Sequence, residues 1–132
     1  MGYTRYWSRT DVPIGDNFIA EVNSILIDCA KKGIAIRNWD GKNRPEISKD
    51  RIVLNGNADY GLDHESFVID NNESDFNFCK TARKPYDYAV REILRVAEKY
   101  CLVTNVSDDG DNEEIYSDEE YLLGLNDRSN WW

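Results

Sequence analysis

Histidine and methionine each occur once in this chain of 132 residues, and proline and cysteine three times each. A lone histidine, His64, cannot supply the paired imidazoles of a two-histidine metal site. Cys29, Cys79 and Cys101 are odd in number and far apart, which sets aside a disulfide framework or a zinc cluster. They read as reduced core thiols. Cations are scarce: 16 Lys and Arg face 25 Asp and Glu, for a net charge of -9. That balance excludes broad binding to DNA, RNA or anionic membrane. No apolar run nears the ~20 residues of a membrane span. The N-terminus has no signal-like apolar stretch, so a cytoplasmic protein is expected. Neither a cofactor nor a metal is expected. Glycine-rich phosphate loops are missing, and the acids of Ser107 to Asp111 miss the calcium-loop spacing.

What is present points to a folded domain. Hydrophobic residues make up 41% of the chain and aromatics 12%, with four Trp and eight Tyr. That content argues against disorder, and the length suits one core. Residues 2–7, Gly-Tyr-Thr-Arg-Tyr-Trp, suit a first strand with Tyr3, Arg5 and Trp7 on one face. Phe18, Val22, Ile25, Leu26 and Cys29 mark a helical face from Asp16 to Lys32, which Gly33 ends. Ile34 to Arg37 reads as a short strand, residues 38–49 as loop and Arg51 to Asn55 as a strand. Asn55 to Asn57 then forms a turn. Val68-Ile69 and Phe76 to Cys79 are further strands, separated by an acidic turn at 70–75.

A second helix is expected from Pro85 to Tyr100. Proline suits the first turn, and Tyr86, Ala89, Val90, Ile93, Leu94, Ala97, Tyr100 and Cys101 share its apolar face. Leu102 to Val106 is a strand, and a short helix is expected near Glu119 to Leu123. Trp131 and Trp132 are expected to fold back on the body. The order predicts an α+β fold, a mostly antiparallel sheet with two helices packed on one face. Residues 1–107 form its single domain. Residues 108–132 form an acidic C-terminal extension, packed on that domain or trailing from it.

The stretch of most chemical interest is Phe78-Cys79-Lys80-Thr81-Ala82-Arg83-Lys84-Pro85-Tyr86-Asp87. It joins a strand to the second helix and gathers three cations in an acidic chain. A helix N-terminus carries unpaired N–H groups and partial positive charge. With Lys80, Thr81, Arg83 and Lys84 beside it, a phosphate or carboxylate finds donors there. The alternative is a solvated loop whose cations balance nearby acids. His64 with Glu65 is a candidate acid/base pair, although adjacent residues on an extended chain point apart.

The opening Met-Gly-Tyr-Thr-Arg-Tyr-Trp, Asn55-Gly56, His64-Glu65-Ser66-Phe67 and the Phe78-Cys79-Lys80-Thr81 to Pro85-Tyr86-Asp87 block together resemble a family of small, uncharacterised proteins of bacteria and phages. The likeness covers patches of residues 1–107 and departs at Arg5, where the family often has histidine. It implies a phage or prophage accessory protein that counters host defences by capturing a nucleotide signal or blocking an effector.

Two functional expectations result. The first is a non-enzymatic binding protein for a small anionic, nucleotide-like ligand, held by Tyr3, Arg5, Trp7, His64, Lys80, Thr81, Arg83, Lys84 and Tyr86 through charge and ring stacking. The second is a nucleic-acid mimic that occupies a basic protein groove with Asp108, Asp109, Asp111, Glu113, Glu114, Asp118, Glu119 and Glu120. An enzyme is the weakest reading, since no nucleophile elbow or redox pair is recognisable. Homo-oligomerisation is left open.

Overall fold

The computed structural model describes residues 3–71, 75–110 and 115–128. Its elements are β1 (Thr4–Arg9), α1 (Asp16–Lys31), β2 (Glu46–Ile47), β3 (Arg51–Leu54), β4 (Phe67–Asp70), β5 (Asp75–Lys80), α2 (Asp87–Lys99), β6 (Val103–Asp108) and α3 (Asp118–Arg128). The fold is α+β, and every strand pairing is antiparallel. The expected single sheet is instead two three-stranded sheets, ordered β5-β1-β6 and β2-β3-β4. The strands of the second sheet pair with their sequence neighbours. β1 lies between two distant strands, in register Arg5 with Cys79 and Arg5 with Asp108.

Alternation along β1 does what period two requires: Arg5, Trp7 and Arg9 are buried, while Tyr6 and Ser8 are half-buried. Trp7 meets Phe67 of β4, ring centroids 5.1 Å apart, so one side chain bridges the two sheets. Arg9, also buried, donates to the backbone oxygens of Asp70, Thr10 and Leu102 and to Asn71 Oδ1. These acceptors offset the cost of burying a cation. On the other face, Tyr6 stacks on Phe76 at 6.0 Å, and Phe76 and Phe78 remain exposed.

α1 buries Phe18, Val22 and Cys29, and α2 buries Ala89, Val90, Ile93, Leu94 and Ala97. Both faces join one core with Trp7, Ile52, Leu54, Phe67 and Ile69. Tyr88 Oη donates to Asp28 at 2.5 Å and Lys99 Nζ to Glu21 at 3.0 Å, tying the helices together at their rims.

Several expectations are corrected. Pro85 and Tyr86 form a turn before α2, which begins at Asp87. Ile34 to Arg37 is not a strand; only Arg37 pairs, through a bridge to Asn55. Cys101 is exposed, because the chain leaves α2 through a left-handed conformation there, φ 63°, and turns the thiol off the apolar face. The C-terminal helix runs from Asp118, where Asp118 N–H donates to Gly33 O and the Asp118 carboxylate accepts from Ala35 N–H. Trp131 and Trp132 lie outside the described residues. No helix among them is long and apolar enough to cross a membrane.

Candidate functional site

The turn that opens α2 is built from strained backbone. Ala82 and Arg83 are both left-handed, φ 55° and 57°, and Lys84 N–H closes the turn onto Thr81 O at 3.1 Å. Two consecutive positive φ values define a type I′ turn, which normally selects Gly or Asn. Side chains pay for that conformation at about 1–3 kcal/mol per strained residue, and such positions concentrate at functional sites. The compensation is visible: Thr81 and Ala82 N–H both donate to Tyr3 O, at 3.0 and 3.2 Å.

Behind the turn lies an ion network. Asp87 accepts Arg5 Nε on Oδ1 at 2.8 Å and Arg5 Nη2 on Oδ2 at 2.7 Å, a bidentate fork. Thr81 Oγ1 adds a 2.6 Å bond to Oδ1. Arg5 Nη1 reaches Asp108 on β6 at 3.4 Å. Burial opposes the charge of Arg5, but the hydrogen bonds and charge of Asp87 outweigh it and raise its pKa. Arg83 lies on the Tyr3 ring, 3.9 Å from Cζ to the centroid. Burial first, with Asp108 adding to it, pushes the Tyr3 hydroxyl up to about 12.

In front of this network is a cleft lined by Arg5, Arg83, Lys84, Asp87, Arg91 and the rings of Tyr88, Tyr116 and Tyr121, with Pro85 and Ile115. Asp87 is the one carboxylate among these residues. The cleft volume is about 50 Å³. That is room for roughly three to five waters at ~10–15 Å³ each, the size of one phosphate or carboxylate group. Arg91 pairs with Glu92 at 2.9 Å, and Lys84 Nζ donates to Gly61 O at 2.6 Å. Arg83, Arg91, Tyr116 and Tyr121 each hold a further interaction. An entering anion therefore exchanges with existing partners.

The structure brings together only part of the expected set. Arg5, Arg83 and Lys84 line the cleft, and Tyr3 backs Arg83 from outside it. Trp7 and Tyr86 do not line it. Both rings are core, and Tyr86 Oη donates to Glu65 O at 2.6 Å. Thr81 is fully buried with its hydroxyl committed to Asp87. Lys80 is exposed at the end of β5, 6.0 Å from the Phe78 ring centroid. His64 is exposed elsewhere, held through its backbone by Asn55. Glu65 accepts Lys80 N–H at 2.8 Å, so its carboxylate serves the backbone of β5 and forms no dyad with His64.

Sequence reasoning missed Tyr88, Arg91, Tyr116 and Tyr121. Arg91 sits one turn into α2 from Asp87, a signal that the helical spacing carried. Nothing local marked the tyrosines of the C-terminal segment.

Part of the acidic stretch is engaged within the fold, although Asp108, Asp109, Glu119 and Glu120 are exposed. Asp108 meets Arg5, and Asp109 accepts Thr4 N–H at 3.0 Å and Tyr6 Oη at 2.7 Å. Glu120 and Ser117 form a reciprocal capping box, with bonds of 3.0 and 3.1 Å. Burial, opposed by the Ala35 bond, raises the pKa of Asp118. Glu119 is exposed, and Asp111, Glu113 and Glu114 lie outside the described residues. Among the described residues no group of His, Cys, Asp or Glu could hold a metal ion.

Compared with known proteins, the chain matches no family model, no curated protein and no solved structure.

Proposed function

We propose that this protein is a non-enzymatic binder of a small anionic, nucleotide-like ligand. The cleft beside the head of α2 would take the anion. The observation that supports this reading is the composition of its wall: four cations against one carboxylate, in a chain of net charge -9. Asp87 is paired with Arg5, and an anion would take its place among the existing partners of Lys84, Arg83 and Arg91. The small volume suits a phosphate or carboxylate group alone. A base or other ring would lie across the mouth, beside the tyrosines Tyr116 and Tyr121 that line the cleft. In a phage or prophage setting such a ligand would be a nucleotide signal that the protein sequesters.

The test is thermal stabilisation by inorganic phosphate, mononucleotides and cyclic dinucleotides. A ligand present at a hundred times its Kd adds about 2.7 kcal/mol to the folded state. Arg83→Ala with Arg91→Ala removes the stabilisation, and Lys80→Ala leaves it in place. A panel in which no anion shifts the melting temperature, or a shift that survives the double substitution, overturns the proposal.

A further inference from the structure

A second concavity shares no residue with the cleft. It has a volume of about 590 Å³ and runs between α1 and the segment Gly33 to Arg37, with Arg44 and Pro45 at its border. That volume falls in the ordinary range for ligand sites, ~300–1,000 Å³. Leu26 and Ala30 of α1 supply an apolar wall. The opposite wall is backbone: Ile34 and Ile36 send their side chains into the core, so their peptide groups border the groove.

The hydrogen bonding of that segment is incomplete in a patterned way. Ile34 N–H donates to Cys29 O at 2.9 Å, Ala35 N–H to Asp118 at 3.1 Å, and Arg37 exchanges both its backbone bonds with Asn55. Among the described residues, no hydrogen bond forms to Ile34 O or from Ile36 N–H. On an extended chain these two groups point the same way, the spacing at which a neighbouring strand pairs. Arg37 and Arg44 stand at this groove without an ion pair among the described residues, though Asp59 and Asp118 are near enough to feel Arg37.

We infer that the groove binds an extended polypeptide segment that adds as a strand along Ile34 to Arg37, packs apolar side chains against Leu26 and Ala30, and presents a carboxylate to Arg37 and Arg44. Strand addition explains the apolar wall, the unsatisfied backbone wall and the two arginines at once. A hydrocarbon ligand would bury Ile34 O and Ile36 N–H unpaired, which is costly. A nucleic acid would meet a body of net charge -9.

Short random peptides displayed on phage are panned against the full chain, and enriched sequences are synthesised. The expected binders alternate apolar residues and carry Asp, Glu or a free C-terminus at one end. On binding, the Ile36 amide resonance shifts and its hydrogen exchange slows. Ala30→Glu and Arg44→Glu, both at exposed positions, each weaken binding at least about tenfold with the melting temperature unchanged. N-methylation of alternate peptide amides abolishes binding. Failure to enrich any peptide, binding that survives both substitutions, or equal binding of the N-methylated peptide overturns the inference.

Discussion

The Arg83 guanidinium lies between the Tyr3 ring and Gly110. A β-carbon built on Gly110 would come within 2.2 Å of Arg83 Nη2 and 3.1 Å of Tyr3 Cε1. The missing side chain at position 110 is therefore what lets the cation stack. Gly110→Ala is expected to expel the far end of a flexible side chain. It should cost less than about 1 kcal/mol of stability yet lose anion-induced stabilisation. Gly56→Ala is the contrast, because its β-carbon would fall 2.0 Å from the backbone oxygen of Leu62. Backbone cannot step aside, so that variant should lose about 3 kcal/mol by urea unfolding. Equal effects of the two substitutions would contradict this account.

The Arg5–Asp87 fork sets a second expectation. Their side chains are only 9% and 15% exposed, so removing one partner strands a buried charge. Arg5→Met and Asp87→Leu should each cost about 3–5 kcal/mol, and the double variant much less than their sum. A double-mutant cycle by chemical denaturation measures the coupling. Additive losses would mean that the two residues act independently.

Asp118 gives a pH dependence. Its folded-state pKa is raised above 3.8 by burial. A raised carboxyl binds its proton more readily folded than unfolded, so stability rises as pH falls through the folded pKa towards 3.8. Asn at this position keeps an acceptor for Ala35 N–H without the buried charge. Asp118→Asn is expected to gain most over the parent at neutral pH, with the advantage shrinking as pH approaches 4. Melting curves across that window check it, and an advantage that grows on acidification would have the wrong sign.

The thiols should separate by burial. Cys29 and Cys79 are buried, and burial pushes both up to about 12, while Cys101 is exposed. Iodoacetamide at about pH 8 should label Cys101 alone in the native protein, since only an accessible thiolate reacts. Mass spectrometry of the digest reads the sites. Native-state labelling of Cys79 would mean that β5 opens.

Much of the fold was legible because it is periodic. α1 and the apolar face of α2 are written at steps of three and four, and period two placed Tyr3, Arg5 and Trp7 on one face, which the fold buries. Gly33, φ 75°, stops α1 as its position implied. The misses share one cause. The exposed Cys101 and the lack of strand pairing at Ile34 to Ile36 depend on where the chain goes next, and local spacing carries no information about that. The site divides in the same way. Residues 78–87 were recognisable as a cationic junction, but only the folded chain shows Thr81 turned inward and Lys80 turned away.

Sequence by itself determined the class of the fold, its helices, the acidic charge and the cationic junction, because propensity, periodicity and composition are short-range properties. Tertiary structure decided the rest. It split the strands into two sheets, paired Arg5 with Asp87 across 82 positions, and brought Tyr116 and Tyr121 to the head of α2. Those contacts follow from closing one core around distant segments, and no local pattern encodes which charges meet when that core closes.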